Sequence, residues 1–223
     1  MTFSELVLPV WLLIACGALA LAVVGVGLTQ LPWRALSGDR ALQHRWLAAS
    51  LAVVLLWQLR AQSVDWLSLH LMLTPLLTLI FKAPMALVTN LLANLSLVLL
   101  GKVGWPLLGV NVLITGVIPV VITVSIWRIV DRLMPDNLML FLFVCGFFGA
   151  ALATLGTGLA GLGMIMLASG DPEAVYLARE YALFLPLLMP SEAFLTGMLL
   201  GILMVYHPHW VATFDSHRYI DTK

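Results

Sequence analysis

The chain has 223 residues, of which 62% are hydrophobic and only 10% charged, with eleven Lys and Arg balanced by eleven Asp and Glu. A soluble globular domain carries roughly 45–50% apolar and about 25% charged residues, so a chain with a mean hydropathy of +1.05 lacks the polar surface to be wetted on all sides, and lipid must be part of its solvent. A formal net charge of zero, without a basic stripe or interleaved aromatics, gives no reason to expect a nucleic-acid partner.

In chain order, the segment from Met1 to Glu5 holds no Lys or Arg. It therefore lacks the positive start of a secretory signal, and the first apolar run, 6–30, is expected to remain in the mature protein. Further runs at 46–59, 66–81, 84–101, 106–130, 138–168 and 180–206 bring the predicted crossings to seven, each needing about 20 residues. The second to fourth are short. Arg60 to Asp65 separates the second from the third, and Lys82-Ala83-Pro84 separates the third from the fourth; a proline opens a helix readily but disrupts its interior. Three short helices are expected there, with a re-entrant pair as the alternative. The fold class is all-α: a polytopic membrane protein with a helical domain over 1–206 and a cytoplasmic tail over 207–223.

Orientation follows from the cations. With the N-terminus outside, the cytoplasmic side receives Arg34, Arg40, Arg45, Lys82, Arg128, Arg132, Arg218 and Lys223, and the outer side receives Arg60, Lys102 and Arg179. The 169–180 loop adds Asp171, Glu173 and Glu180 outside. Trp11, Trp33, Trp46, Trp66, Trp105, Trp127 and Trp210 fall near predicted helix ends, as an interfacial aromatic belt does, and Trp57 beside Arg60 fits the same pattern. Gly197 and Gly201 form a GxxxG pair, while Gly146, Gly149, Gly156, Gly158, Gly161 and Gly163 crowd the sixth run. Small residues let helix backbones approach in lipid, either within the chain or against a partner subunit. Cys16 and Cys145 lie inside apolar runs and read as small buried hydrophobes, with a soft-metal thiolate site as the alternative.

Ionisable groups at membrane depth mark function best. His70 lies in the outer part of the predicted third helix, Asn111 in the outer part of the fifth, and Glu192 near the middle of the seventh. A buried carboxylate is unfavourable by several kcal/mol unless it is paired, protonated or metal-bound; one compensation is a protonated acid bonded to Ser191, an Asn or a backbone carbonyl. Neutral imidazole is a common ligand for divalent transition metals, so His70 with Asn111 suggests a polar site open to the outside. The structural alternative is an imidazole bonded across helices. Asn90 and Asn94, one turn apart, bond neighbouring helices more readily than they ligate. Met72 would point some 200° from His70 on a helix, and the other methionines are scattered gap fillers, although a Cu(I) path is conceivable. The tail carries His207, His209 and His217, either as a metal-handling segment or, more simply, as an interfacial cap after Pro208. No phosphate-binding loop, H-E-x-x-H or G-x-S-x-G motif is present, so enzymatic activity has no positive support.

Three segments carry a family resemblance. Leu69-His70-Leu71, then the stretch from Gly109 and Asn111 through Thr115 and Gly116 to Pro119, then Glu192-Ala193-Phe194-Leu195-Thr196 resemble, in that order over residues 60–205, the CbiM/NikM family. These are membrane substrate-binding subunits of cobalt and nickel energy-coupling-factor ABC transporters. The resemblance implies a seven-helix, N-outside permease component in the inner (cytoplasmic) membrane of a bacterium. Its cargo would be a transition-metal ion (Co, Ni or Cu), captured through His70, Asn111 and Glu192, with no covalently bound cofactor. It also implies ATPase and coupling membrane subunits as partners. In that family the N-terminal amine, here that of Met1, and a histidine at the second position form half of a planar metal site. This chain has Thr2 there, Ile114 in place of a second Asn, and Leu185 where many members have a His. A standalone metal transporter and a non-transporting membrane scaffold are the alternatives.

Overall fold

The computed structural model describes residues 2–4, 8–64, 67–168 and 172–215. Met1, Glu5, Asp65, Trp66, Asp171, His217, Arg218 and Lys223 lie outside the described residues, as does the side chain of Glu173. The helices are α1 (Val10–Thr29), α2 (Trp33–Gly38), α3 (Arg40–Gln58), α4 (Thr74–Leu99), α5 (Trp105–Leu133), α6 (Leu138–Leu167) and α7 (Pro172–Tyr206). Five of them are long and apolar enough to cross a bilayer: α1, α4, α5, α6 and the Ala178–Tyr206 part of α7. Their outward faces carry Leu21, Leu183 and Val205, each more than 70% exposed, as a lipid-facing bundle requires. Helix α3 begins six residues before the expected 46, because Asp39 accepts hydrogen bonds from the Ala41 and Leu42 amides and caps it. Helix α7 likewise begins at Pro172, ahead of the expected 180, with Pro186 and Pro190 inside it.

The expected helix over 66–81 is corrected. Strands β1 (Thr2–Phe3), β2 (Ala61–Val64) and β3 (Leu67–Leu69) form a small antiparallel sheet in the order β1-β3-β2. Thr2 pairs with Ser68 and Phe3 with Leu67. The chain stays non-helical through His70 and Leu71 until Leu73, at φ 54°, turns it into α4, with Pro75 in the first turn. A short apolar run does not separate strand from helix by hydropathy; the proline marks where helix begins.

Helix α4 consists of two legs. Lys82 sits at φ 66°, ψ 168°, outside any helical geometry. In a straight helix Thr74 and Asn90 would stand about 24 Å apart, yet Asn90 Nδ2 donates to Thr74 Oγ1 at 3.3 Å. The chain therefore reverses at Lys82. The first leg, eight residues, spans about 12 Å, less than half of a hydrocarbon core about 30 Å thick, and the extended segment before it continues its path. Non-helical backbone at this depth must be covered by protein, and Ser68, His70 and Met72 are buried.

The first leg ends in carbonyls that need partners, because the last four C=O groups of a helix have none within it. Pro84 has no N–H to offer Ile80. The segment after α7 supplies them: Ala212 N–H donates to Ile80 O at 2.9 Å, and Thr213 donates to Leu79 O through N–H at 3.2 Å and Oγ1 at 2.7 Å. Trp127 Nε1 in turn donates to Thr213 O at 3.0 Å, and the Arg45 guanidinium lies 5.3 Å from the Trp210 ring centroid. At the opposite end Arg60 Nη1 donates to Lys102 O at 3.2 Å, and Lys102 Nζ donates to Gln58 Oε1 at 2.9 Å. Arg60 and Lys102 thus share one end with β1, while Arg45 and Lys82 lie at the end that holds the tail. Gly146 and Gly197 serve packing within the chain: a Cβ on Gly146 would stand 2.8 Å from Leu200 Cδ2, and one on Gly197 2.8 Å from Phe147 Cδ2, whereas Gly163 faces open space.

Candidate metal-capture site

The site lies at the Arg60–Lys102 end, where the N-terminal strand is threaded into the bundle. Thr2 and Phe3 are each 1% exposed. The Asn111 side chain treats Phe3 as a strand partner would: Phe3 N–H donates to Asn111 Oδ1 and Asn111 Nδ2 donates to Phe3 O, both at 2.9 Å. On the other side Ser4 and Ser68 hydroxyls meet at 3.0 Å, and Gly104 N–H reaches Ser4 O at 3.5 Å. Among the described residues the buried Thr2 hydroxyl has no hydrogen-bond partner.

His70 follows β3 in the extended segment, a correction of its expected place on a helix. Its ring packs on the fully buried Trp57 indole, centroids 4.2 Å apart, and Trp57 Nε1 donates to Met72 O at 3.4 Å. Trp57 is therefore part of the site and not of the interfacial belt, unlike the exposed Trp11, Trp33 and Trp105. The His70 Nδ1 atom lies 3.3 Å from Leu71 O. A carbonyl only accepts, so Nδ1 carries the proton in this pair, and in the neutral ring the lone pair is then on Nε2. His70 also lines an open crevice of about 370 Å³ with Leu59, Leu187 and Ser191.

Glu192, 1% exposed on α7, reaches this segment. Its carboxylate accepts the Met72 and Leu73 amides, the latter at 3.3 Å. These N–H groups precede the first turn of α4, so the carboxylate sits at a helix N-terminus, where partial positive charge gathers. The expected bonding to Ser191, an Asn or a carbonyl is corrected: Ser191 Oγ donates to Leu188 O instead, and the groups that meet Glu192 are the Met72 and Leu73 amides. Met72 contributes its backbone: its N–H meets Glu192 and its carbonyl meets Trp57.

Beneath lies a polar knot. Pro119 cannot donate to Thr115 O, its helical partner four residues back, and the helix widens into a π turn over Leu113–Val117. Thr115 O instead accepts from Asn90 Nδ2 and Thr74 Oγ1, both at 2.9 Å. Asn94 Nδ2 donates to Asn90 Oδ1 at 2.9 Å, and Thr115 Oγ1 donates to Asn111 O at 2.7 Å. Gly116 makes room for this: a Cβ there would lie 2.8 Å from Asn90 Cγ. Asn90 and Asn94 thus bond α5 and each other here, and Thr115 is a member of the knot to which only Pro119 pointed in the sequence. The structure brings His70, Asn111, Glu192 and Met72 to one end of the bundle around the N-terminal strand. Among the described residues no three His, Cys, Asp or Glu side chains cluster as a metal cage.

The family model for CbiM, the cobalt uptake substrate-specific transmembrane region, matches residues 3–210. No curated protein matches the chain. One similar solved structure is described as a truncated transition metal transporter, with a TM-score of 0.72 at 20% identity over 93% of this chain and 100% of that one. Another, described as a transition metal transporter, gives 0.70 at 18% identity over 92% and 93%. At such identities the likeness is one of fold. Because the family model spans nearly the whole length, the chain belongs to the CbiM family.

Proposed function

We propose that the chain is the substrate-capturing membrane subunit of an uptake system for a transition-metal ion, with the N-terminal strand and His70 at the outer face. The observation that carries this reading is the threading of β1 into the bundle, held by Asn111, beside an imidazole whose segment is clamped by Glu192. A two-residue strand held this deeply is costly in conformational entropy, and a binding site that must exclude water gives it a use. In this reading His70 Nε2 is the side-chain ligand, Asn111 fixes the strand, and Glu192 fixes the His70 segment from below. Thr2 supplies a hydroxyl where the resemblance would place a second imidazole, which favours a site with fewer nitrogen donors and a cargo outside the usual nickel and cobalt pair. Energy would come from ATPase and coupling subunits, since the chain has no phosphate-binding loop of its own. A methionine relay is disfavoured, because Met139, Met166 and Met198 point outward.

The test is the metal content of the purified protein after exposure to Co(II), Ni(II) and Cu, measured by mass spectrometry of the metal. A stoichiometric ion that is lost in His70→Ala is expected. Equal metal in parent and variant, or none in either, would remove the reading and leave a scaffold that keeps the fold.

A further inference from the structure

The other end of the bundle carries a second feature, independent of metal capture. Helices α1 and α5 meet backbone to backbone near the His70 end, where a Cβ on Gly109 would stand 2.6 Å from Gly17 Cα. Further along they diverge around the Lys82 reversal and leave an open crevice of about 410 Å³ between α1, α4 and α5. Its walls are apolar, with Ala22, Val26, Pro84, Leu87, Val121 and Val124 among them. At its rim sits Arg128, which is exposed. Lys82, also exposed, precedes the lining residue Ala83. Among the described residues neither cation has a hydrogen-bonding or acidic partner; the ion pair described is Arg45 with Asp39.

We propose that this crevice holds one acyl chain of an anionic glycerophospholipid whose phosphate is seated on Arg128. A single hydrocarbon chain is thin enough to enter the opening between the three helices. Charge then selects the headgroup. Unpaired Lys and Arg at the level of the lipid phosphates attract anionic lipids, as basic pockets between membrane helices do. Lys82, exposed and next to the lining residue Ala83, adds attraction without defining the seat.

The test uses the full chain in nonionic detergent, titrated with dipalmitoyl phosphatidylglycerol or dipalmitoyl phosphatidylcholine, with bound lipid counted by native mass spectrometry. Phosphatidylglycerol should bind more tightly than phosphatidylcholine by roughly fivefold, the contribution of one cation near the headgroups. Arg128→Gln should erase that preference and Arg128→Lys should keep most of it. Position is read separately: in Val121→Cys, phosphatidylglycerol should slow maleimide labelling, against a low background because Cys16 and Cys145 are buried. Equal retention of the two lipids, a preference that survives Arg128→Gln, or unaltered labelling at 121 would each overturn the proposal. A photo-crosslinker at 121 that captures a polypeptide instead of lipid would assign the crevice to a partner helix.

Discussion

Glu192 shows how one side chain joins distant parts of this protein. Its carboxylate satisfies two amides of a segment about 120 residues away, and those amides would otherwise face a dry interior. A buried donor left without its partner is unfavourable by about 1–3 kcal/mol. Glu192→Ala, which orphans both donors, should therefore lower stability by about 3 kcal/mol or more. Glu192→Gln keeps one acceptor in the same shape and should lose roughly half as much. Thermal unfolding in detergent, followed by intrinsic fluorescence, measures both; midpoints unchanged from the parent would show that the clamp contributes nothing. Asn111 acts in a similar way on Phe3. Each of these residues stands out in the sequence as a polar group at membrane depth, but neither sequence position names its partner.

At the scale of elements, the reversal in α4 concentrates strain at one residue. Lys82 adopts φ 66°, ψ 168°, a region open essentially to glycine and unfavourable by about 1–3 kcal/mol for other residues. Glycine loses about 0.5–1 kcal/mol more than alanine on ordering, so Lys82→Gly should raise stability by a net of about 1 kcal/mol. A rise in the unfolding midpoint is the expected result; a fall would mean that the Lys82 side chain holds the reversal in place. The reversal persists because both legs are fastened elsewhere. Thr74 and Asn90 share Thr115 O, and the tail covers Leu79 and Ile80 carbonyls. Each fastening repairs a hydrogen bond that a proline removes, Pro119 in one case and Pro84 in the other. The prolines were legible as helix interruptions. What bonds the carbonyls they leave was not, because the donors come from other helices.

For the whole molecule, the two ends differ in charge. Arg60 and Lys102 gather with the N-terminal strand, while Arg45, Lys82 and Arg128 lie toward the end that carries the tail. Cations are retained on the cytoplasmic side, so the His70 end should face outward. A membrane-impermeant maleimide applied to intact cells should label Trp105→Cys and spare Tyr206→Cys, both positions being exposed; the opposite pattern would invert the orientation and with it the direction of capture.

By itself the sequence determined that this is a lipid-embedded helical protein, where its apolar runs fall, which polar residues need explanation and which cations share an end. Those properties follow from composition and local hydrophobicity, which each segment carries alone. Only the tertiary structure decided that residues 67–73 are non-helical, that α4 doubles back, that the N-terminal strand enters the bundle and that Glu192 closes on the His70 segment. These features arise because every buried backbone donor and acceptor must find a partner in a medium without water. That partner is set by what lies alongside in space, which the order of residues along the chain does not state.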